Sequence, residues 1–325
     1  MEQNAIDWPT SGHVTVGFAA TSYADVARDF SLPKPQPDQA YVEVSALEAG
    51  IINLPLIYFV QGATSGEVVR GPALAFSIIH KPSGTHLVFD LGLRRDIEAY
   101  PPPVHAILKV FGTVTVPQSA EESLKAGGIP PEAVQTVILS HLHFDHIGNP
   151  DAFPNATFIV GPGSRELIES GYPTDPKSAI WQSIPVERTR FLSSSDFSMS
   201  VGPFPRAYDY FGDGSPYLVE APGHVDGHIN VLARTSRDGS WIFLGGDSAY
   251  DTRLLTGEKE VAFKIDASGQ SLCAHEHKDI AIEHIRRVGS LLKVPKVHVL
   301  LAHDWEWYEK NKGGGAFLPG VIPPA

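Results

Sequence analysis

The sequence has little of what marks a secreted, disulfide-bonded or membrane-spanning protein. Its 325 residues include one cysteine, Cys273, so no disulfide can form within the chain, and this favours a reducing compartment. Residues 1–7 lack the basic region and following apolar run of a secretory signal. The most apolar early stretch, residues 51–60, contains Asn53 and Pro55 and is too short to cross a bilayer. We therefore expect a cytoplasmic protein with no membrane partner.

Positive charge is also scarce. The chain has 25 Lys and Arg against 37 Asp and Glu, a net charge of -12, which argues against nucleic acid or an anionic membrane as a partner. No Gly/Ser-rich or charged linker divides the sequence, and its hydrophobic content of 42% is enough for a large core. We predict an N-terminal extension over residues 1–40, packed on the core, and a single domain over residues 41–325. The sequence leaves a homodimer open.

Predicted strands and helices alternate along the domain. Strands are expected over residues 41–47, 71–80 and 85–91, among others, and helices over residues 119–126, 164–170 and 274–292. This alternation predicts an α/β fold.

The densest chemical signal is the run His141-Leu142-His143-Phe144-Asp145-His146. An apolar strand is predicted before it and a turn after it, so the run lies where a buried strand emerges into a loop. Four such side chains in six residues cannot all point to one ion, whereas two adjacent metal ions could share them. The alternative, a solvated polar turn, would bring many costly polar groups together without a partner.

The same pattern, an apolar strand followed by a candidate ligand, recurs three more times. Residues 217–220 precede His224, residues 241–245 precede Asp247, and residues 297–301 precede His303. Any one of these alone is typical of a loop histidine or a surface aspartate. Strand ends at one edge of a sheet sandwich can converge, so the recurrence indicates a shared metal site.

In this order the candidate ligands resemble those of the metallo-β-lactamase superfamily, over roughly residues 41–305, and Val88-Phe89-Asp90-Leu91-Gly92 resembles the strand and turn before that family's metal motif. The resemblance implies a four-layer αββα sandwich with two metal ions. It assigns His141, His143 and His224 to the first ion, Asp145, His146 and His303 to the second, and Asp247 to both, with a hydroxide as the other bridge. Two Zn2+ ions are expected because imidazole-rich sites suit zinc, although ligand type alone leaves Mn, Fe and Co open.

Details separate this chain from several branches of that superfamily. Many antibiotic-degrading members carry Cys where this chain has Asp247, whereas Cys273 lies elsewhere. No added segment of the RNA-cutting members is apparent, and residues 310–315 offer little of the basic C-terminal region usual in glyoxalase-II-type thioesterases. Asp247-Ser248-Ala249-Tyr250 is similar to the N-acyl-homoserine-lactone lactonase branch, in which a Tyr three residues past the bridging Asp contacts the substrate carbonyl.

The resemblance therefore implies a zinc-dependent hydrolase of the lactonase or lactamase type. We expect its partner to be a small cyclic ester or amide, preferably a lactone, opened by attack of the hydroxide between the ions. Tyr250 is expected to donate a hydrogen bond to the developing oxyanion, and Asp247 or Asp145 to transfer the proton. One alternative is a lactam or cyclic carbamate of the benzoxazolinone type, as in similar fungal lactamases. A thioesterase is a weaker alternative, and the full set of seven ligands disfavours a non-catalytic metal-binding protein.

Other histidines and aromatic residues have less specific interpretations. His275 and His277 lie near a predicted helix start and are expected to be solvated. His228 is interpreted as a structural hydrogen-bonding residue, with orientation of a metal ligand as the alternative. The aromatic side chains of residues 305–308 directly follow His303, and they either pack in the core or wall an apolar substrate pocket.

Overall fold

The structure, a computed structural model, describes residues 30–265 and 271–325. In chain order its strands are β1 (Val42–Leu47), β2 (Ile51–Pro55), β3 (Val68–Pro72), β4 (Ala75–His80), β5 (His86–Phe89), β6 (Val114–Thr115), β7 (Thr136–Ile138), β8 (Thr157–Val160), β9 (Thr189–Phe191), β10 (Met199–Val201), β11 (Phe204–Asp209), β12 (Pro216–Glu220), β13 (Ile229–Arg234), β14 (Trp241–Leu244), β15 (Lys264–Ile265), β16 (Ser271–Leu272) and β17 (Val297–Leu300). Its helices are α1 (Pro102–Phe111), α2 (Ala120–Ala126), α3 (Phe144–Ile147), α4 (Ser164–Ser170), α5 (Thr252–Thr256), α6 (Lys278–Leu291) and α7 (Trp305–Asn311). Among these residues, no helix combines the length and the apolar character that a membrane crossing requires.

Two six-stranded sheets form the framework. The first has the order β1-β4-β5-β7-β8-β9, and the second has the order β10-β11-β12-β13-β14-β17. The strands from β5 to β9 in the first sheet are parallel, as are β14 and β17 in the second, whereas the other pairs are antiparallel. Parallel neighbours place their carboxyl ends at the same edge, which is where side chains from several strands can meet.

The two sheets pack face to face, and helices cover their outer faces. Phe89 of the first sheet and Ile242 of the second belong to the same central core. The outer face of the first sheet packs on Leu124 of α2 and Ile168 of α4. The outer face of the second sheet packs on Val288 of α6. The expected four-layer αββα sandwich is therefore confirmed.

A smaller sheet, with the order β3-β2-β6, forms a further apolar cluster with α1. This cluster includes Leu54 of β2, Phe59 in the segment between β2 and β3, and Phe111 of α1. Phe144 also belongs to it and lies in α3, the short helix within the histidine-rich run. The smaller sheet and α1 thus pack against the segment that carries the candidate ligands.

The strand predicted over residues 71–80 is in fact two strands of different sheets. β3 ends at Pro72, which has no N–H to continue a ladder, and β4 begins at Ala75. Between them the Leu74 N–H donates to the Ala302 carbonyl, 2.9 Å away. The change of sheet leaves little mark in the sequence because the run from residue 71 onward is buried almost throughout.

Two of the three predicted helices lie where they are expected, as α2 and α4. The third, predicted over residues 274–292, begins later than expected, as α6. Before it, the N–H groups of Glu276 and His277 donate to the carbonyl groups of His224 and Gly223, at 2.9 Å in both cases. Pairing with this neighbouring turn holds the segment in a non-helical path, which the local sequence does not reveal.

The predicted N-terminal extension falls largely outside the described residues, since 1–29 are not among them. Phe30 and Leu32 pack against the cluster between the second sheet and α6. The Nη2 atom of Arg234 donates to the Pro33 carbonyl, 2.9 Å away. The boundary at residue 40 and the single domain over residues 41–325 stay predictions.

A test of packing at Gly92, whose carbonyl accepts from the Gly148 N–H just after the histidine-rich run, compares two glycines with left-handed backbones. Gly92 has φ +63°, and a Cβ there would meet the Cβ and the carbonyl oxygen of Ala49. Gly62 has φ +81° and open space around it. We expect Gly62→Ala to lower the free energy of unfolding by about 1 kcal/mol, the cost of the left-handed backbone. Gly92→Ala should lower it by a further ~1–3 kcal/mol through overpacking. Urea unfolding followed by circular dichroism measures both, and equal losses would show that Ala49 moves aside.

Candidate metal centre

Seven candidate ligands converge at one edge of the sandwich. They follow the carboxyl ends of β7, β12, β14 and β17. Their ligand atoms form two groups, each within 4.8 Å, namely His141, His143, His224 and Asp247, and then Asp145, His146 and His303. The two groups correspond to the two ions that the resemblance implies.

Asp247 faces both groups, with a different carboxylate oxygen toward each. Its Oδ1 lies 3.1 Å from His146 Nε2 and 3.2 Å from His303 Nε2. Its Oδ2 lies 3.7 Å from His224 Nε2 and 3.9 Å from His141 Nε2. A carboxylate shared by two ions requires this placement.

The first group brings three ring nitrogens together. His143 Nδ1 lies 2.9 Å from His141 Nε2 and 3.1 Å from His224 Nε2, and the latter two atoms are 3.3 Å apart. A neutral imidazole offers one N–H and one lone pair, so three converging nitrogens cannot all satisfy one another. A cation that accepts all three lone pairs does satisfy them, and zinc commonly takes such a donor set.

The second group leaves buried atoms without a hydrogen-bond partner. His303 Nδ1 donates to the Pro72 carbonyl at 2.7 Å, and His146 Nδ1 donates to Asp90 Oδ2 at 2.8 Å. In the neutral rings, both Nε2 atoms therefore carry lone pairs. These Nε2 atoms and Asp247 Oδ1 are buried and form no hydrogen bond, despite their close spacing. When both rings are neutral, the facing lone pairs of these three atoms repel one another unless a cation lies between them. This donor set therefore fits a second ion.

The protonation states around Asp247 suit metal ligation. Burial lowers the pKa of His141 and His224 well below its usual value, so both rings are neutral and keep a lone pair. For Asp247, burial opposes ionisation, but the protonated rings of His146 and His303, whose own pKa values Asp247 raises against the effect of burial, outweigh it and hold the pKa of the carboxyl well below its usual value. The carboxylate is therefore ionised. A bound cation would replace those protons and leave both rings neutral, with lone pairs for the metal.

Asp90 orients the second group, a role that the sequence analysis missed. It accepts hydrogen bonds from the Ser140 N–H at 2.6 Å and the Ser140 hydroxyl at 2.8 Å, besides the one from His146. Its backbone is left-handed, with φ 60°. A carboxylate within the apolar strand end from Val88 to Gly92 is the signal that could have identified it.

His228 supports the backbone of Asp247 rather than joining either group. Its Nδ1 donates to the Ala221 carbonyl at 3.1 Å, and its Nε2 accepts from the Asp247 N–H at 3.2 Å. Burial lowers the pKa of His228 to about 3, so the ring is neutral and can accept this bond. The contacts fit a structural hydrogen-bonding role, and the bond to the Asp247 N–H also fits the alternative, orientation of a candidate metal ligand.

The prediction that His275 is solvated is wrong. Its side chain is buried, and its Nδ1 lies 3.3 Å from His224 Nδ1. The error follows from the helix start, because the segment before α6 lies along the His224 turn instead of beginning a helix. His277 is half-buried, and its Nε2 lies 3.6 Å from an Asp226 carboxylate oxygen.

A cleft with an open mouth lies over the centre. Its lining combines the polar residues His143, Asp145, Asp247, Tyr250 and Glu276 with the apolar residues Leu54, Phe59, Ile107, Phe111, Phe144, Ala179 and Ile180. Such a site, apolar with a few polar groups at one end, suits a small organic ligand.

The aromatic residues after His303 pack in the core and do not line this cleft. Tyr308 is buried, and its ring centroid lies 5.5 Å from that of Trp305. The Trp307 ring lies 5.8 Å from Phe317. Of the two interpretations of residues 305–308, the structure supports packing.

Tyr250 stands at the first group with its hydroxyl toward the metal ligands. Its hydroxyl oxygen lies 3.4 Å from His224 Nε2. Its ring is stacked on His303 and lies 4.2 Å, between centroids, from Phe59. Burial, then the carboxylates of Asp247 and Asp145, raise the pKa of Tyr250 well above its usual value. The phenol therefore keeps its proton and can act as a donor.

Comparison with protein families agrees with this geometry. Residues 111–311 match the family described as the metallo-beta-lactamase superfamily. Among curated proteins, "Cytochrome P450 monooxygenase mpaDE'" from Penicillium brevicompactum is 32% identical over 310 residues, which are 88% of this chain and 36% of that protein. "Gamma-lactamase FDB1" from Fusarium pseudograminearum is 39% identical over 209 residues, which are 61% of this chain and 50% of that protein. The chain thus spans half or less of the length of these relatives.

A solved structure shares the fold. It is that of a B. thuringiensis AiiA mutant with N-decanoyl-L-homoserine bound at the active site, and it aligns with a TM-score of 0.63 at 18% identity. The alignment covers 86% of this chain and 98% of that chain. At this identity the likeness concerns the fold alone.

The two ligand groups predict the metal content. Purified protein reloaded with Zn2+ should hold about two equivalents, because seven ligands are too many for one tetrahedral ion. Asp247→Ala should lower the content below that of the parent, since it removes the carboxylate that faces both groups. Asp151→Ala, at an exposed position, is the control. Elemental analysis that gives one equivalent or less in the reloaded parent would rule out the dinuclear arrangement.

The Asp90 contact predicts a selective loss of metal affinity. Asp90→Asn keeps the side-chain shape and tolerates the left-handed backbone. Its amide NH2 would face His146 Nδ1 and favour the tautomer with the proton on Nε2, which cannot bind a metal. We expect metal affinity to fall by about 10- to 100-fold, as measured by competition with a chelator. Unchanged affinity, equal to that of Asp151→Asn, would contradict the orienting role.

Proposed function

The chain belongs to the metallo-beta-lactamase superfamily, and on that premise we propose that it is a dinuclear-metal hydrolase that opens a small cyclic ester or amide ring. The observation that carries the proposal is the position of Asp247, with one oxygen toward each ligand group at the polar end of an apolar cleft. A hydrolase that opens a ring needs a nucleophile and a cavity for the ring. Ions shared by Asp247 would activate the nucleophile, and the apolar cleft would hold the ring.

We propose that His141, His143 and His224 hold one ion, that Asp145, His146 and His303 hold the other, and that Asp247 is shared. Two bound cations supply a lowered pKa for a water and polarise a carbonyl oxygen. Zinc is the proposed metal, because imidazole and carboxylate are ligands that it takes readily.

The residues of the chain then have distinct tasks. Tyr250 donates its O–H toward the carbonyl oxygen, where negative charge develops as the nucleophile adds to the carbonyl carbon. Asp145 and Asp247 line the cleft beside it and are placed to move a proton toward the leaving ring atom. Phe59 and Ile180 belong to the apolar lining, which holds the ring and excludes bulk water.

A lactone is the proposed substrate class, because Tyr250 stands three residues past Asp247 and beside His224, as the resemblance to the lactonase branch implies. A lactam or cyclic carbamate is the second candidate, and the similarity to the protein named gamma-lactamase FDB1 favours it. Both rings require the same nucleophile and differ mainly in the leaving atom, so the metal ligands suit either.

A hydrolysis screen tests the proposal. Metal-loaded protein is assayed against lactones, lactams, thioesters and phosphodiesters, with Asp247→Ala as the blank. We expect turnover of at least one lactone or lactam. Cleavage of thioesters or phosphodiesters alone would replace ring opening with another hydrolysis. Two bound metals without turnover of any class would favour a non-catalytic protein.

The position of Tyr250 predicts a kinetic effect. Tyr250→Phe removes a hydroxyl and little volume, so the fold and metal content should survive. Turnover should fall by ~10- to 1000-fold, the upper end matching the loss of a well-placed oxyanion donor. The loss should appear in kcat if the bond strengthens in the transition state, and in KM if it only holds the substrate.

Tyr58→Phe is the matched control for that variant. Tyr58 packs on the same aromatic cluster but is not among the residues that line the cleft. Unchanged kcat and KM in Tyr250→Phe, with metal content confirmed, would make Tyr250 a packing residue.

A further inference from the structure

Glu276 is a cleft residue that the proposed chemistry does not use. Among the described residues that line the cleft, it is the one acidic group outside the two metal groups. Its Oε2 is buried and has no hydrogen-bond partner. Burial, then the Asp226 carboxylate, raise the pKa of Glu276 to about 7. In the ionised form, which prevails above that pH, the carboxylate oxygen can only accept hydrogen bonds, so this atom lacks a donor.

The backbone around Glu276 is fixed close to the metal centre. Its N–H donates to the His224 carbonyl at 2.9 Å, and the neighbouring His275 ring is buried against the His224 ring. The side chain is half-buried and lines the same cleft as Tyr250 and His143. A ligand that places its carbonyl near Tyr250 would thus lie alongside Glu276.

When a ring binds in the cleft, a hydrogen-bond donor to Glu276 becomes more important. The apolar lining of the cleft, including Phe59 and Phe111, offers Glu276 no hydrogen bond. A substrate that fills the cleft keeps water from reaching Oε2 when the side chain moves, and an unpaired buried acceptor is costly. A substrate with its own N–H or O–H at this place avoids that cost, whereas an analogue without one does not.

We propose that Glu276 is a specificity-determining residue that accepts a hydrogen bond from an N–H or O–H group of the substrate. The proposal rests on the proposed ring-opening function and narrows its substrate class. It selects cyclic esters and amides that carry a donor on or beside the ring, such as a ring N–H or an acylamino group.

The test uses two matched pairs of probes that differ in one donor. The first pair is 2-benzoxazolinone and its N-methyl derivative. The second is N-hexanoyl-homoserine lactone and the same lactone methylated on the amide nitrogen. Assayed above pH 7, where Glu276 is ionised, the metal-loaded parent should prefer the N–H member by about 10- to 100-fold in kcat/KM, mainly through KM, as for a hydrogen bond to a charged group.

Two substitutions separate the acceptor from the shape of the side chain. Glu276→Met keeps the length but removes the acceptor, so the preference should disappear. Glu276→Gln keeps one acceptor oxygen without the charge, so part of the preference should return. Glu166→Gln, at an exposed position on α4, should behave as the parent. Metal content and circular dichroism confirm that each variant is intact, and Glu276→Gln decides the matter if Glu276→Met does not fold.

Three outcomes would overturn the proposal. The first is an equal preference in the parent and Glu276→Met, or no preference in the parent. The second is a third metal equivalent that both Glu276 variants lose, because Asp226, Glu276 and His277 also lie within ligand distance of one another. That result would make Glu276 a metal ligand.

The third outcome is equal binding of the two members of each pair. A binding measurement distinguishes it from failure of the proposed function. If the parent opens none of the four probes, ring opening of these rings fails, but calorimetric binding of the unreacted probes still tests Glu276. Tighter binding of the N–H members that Glu276→Met abolishes would support recognition without turnover. Equal binding within each pair would overturn it.

Discussion

The carboxylate of Asp247 is the group on which the arrangement of the centre depends. It is buried, and each of its oxygens faces a different set of imidazoles. A buried carboxylate is costly unless it is paired. Asp90 and the Pro72 carbonyl hold His146 and His303 with their Nε2 atoms toward it. The protein thus brings acceptors together, and two cations would satisfy both sides at once. Metal binding would then stabilise the fold as well as serve the chemistry.

The sandwich provides this arrangement by bringing the ends of its two sheets together at the centre. The Ile229 N–H of the second sheet donates to the Ser140 carbonyl, 2.8 Å away, just after β7 of the first. Gly246, before Asp247, has φ +49°, and a Cβ there would lie 2.9 Å from both Ser140 Cβ and His228 Nε2. Glycine is therefore required for the turn that carries Asp247 to approach the turn that carries the histidines. The closeness of the ligands follows from backbone contacts, not from flexible side chains.

The convergence of the candidate ligands could be predicted from the sequence because their residue types are uncommon at the ends of apolar strands. Histidine and aspartate directly after apolar strands are conspicuous, and the fold followed from the family that their order resembles. The errors share a different cause, since each depends on which distant segments meet. The strand over residues 71–80 changes sheets without a change in its apolar pattern, and His275 is buried because its segment pairs with the His224 turn. The place of Glu276 in the cleft depends on the same pairing, so local sequence could not indicate it.

The candidate metal ligands and the cleft walls come from different parts of the chain. On the proposed function, the walls are where substrates would be distinguished. The strand ends of the sandwich supply the candidate ligands, whereas β2 and the segment after it, α1, residues 179–180 and the segment before α6 supply much of the wall. Because lactones and lactams need the same nucleophile, discrimination between them must lie in these walls. Phe59 links wall and chemistry, since its ring lies 4.2 Å from that of Tyr250 and 6.0 Å from that of Phe111. On the proposed function, a change in this wall would alter which ring fits and also move the hydroxyl proposed to stabilise the oxyanion, so ring choice and turnover would be coupled in this cleft.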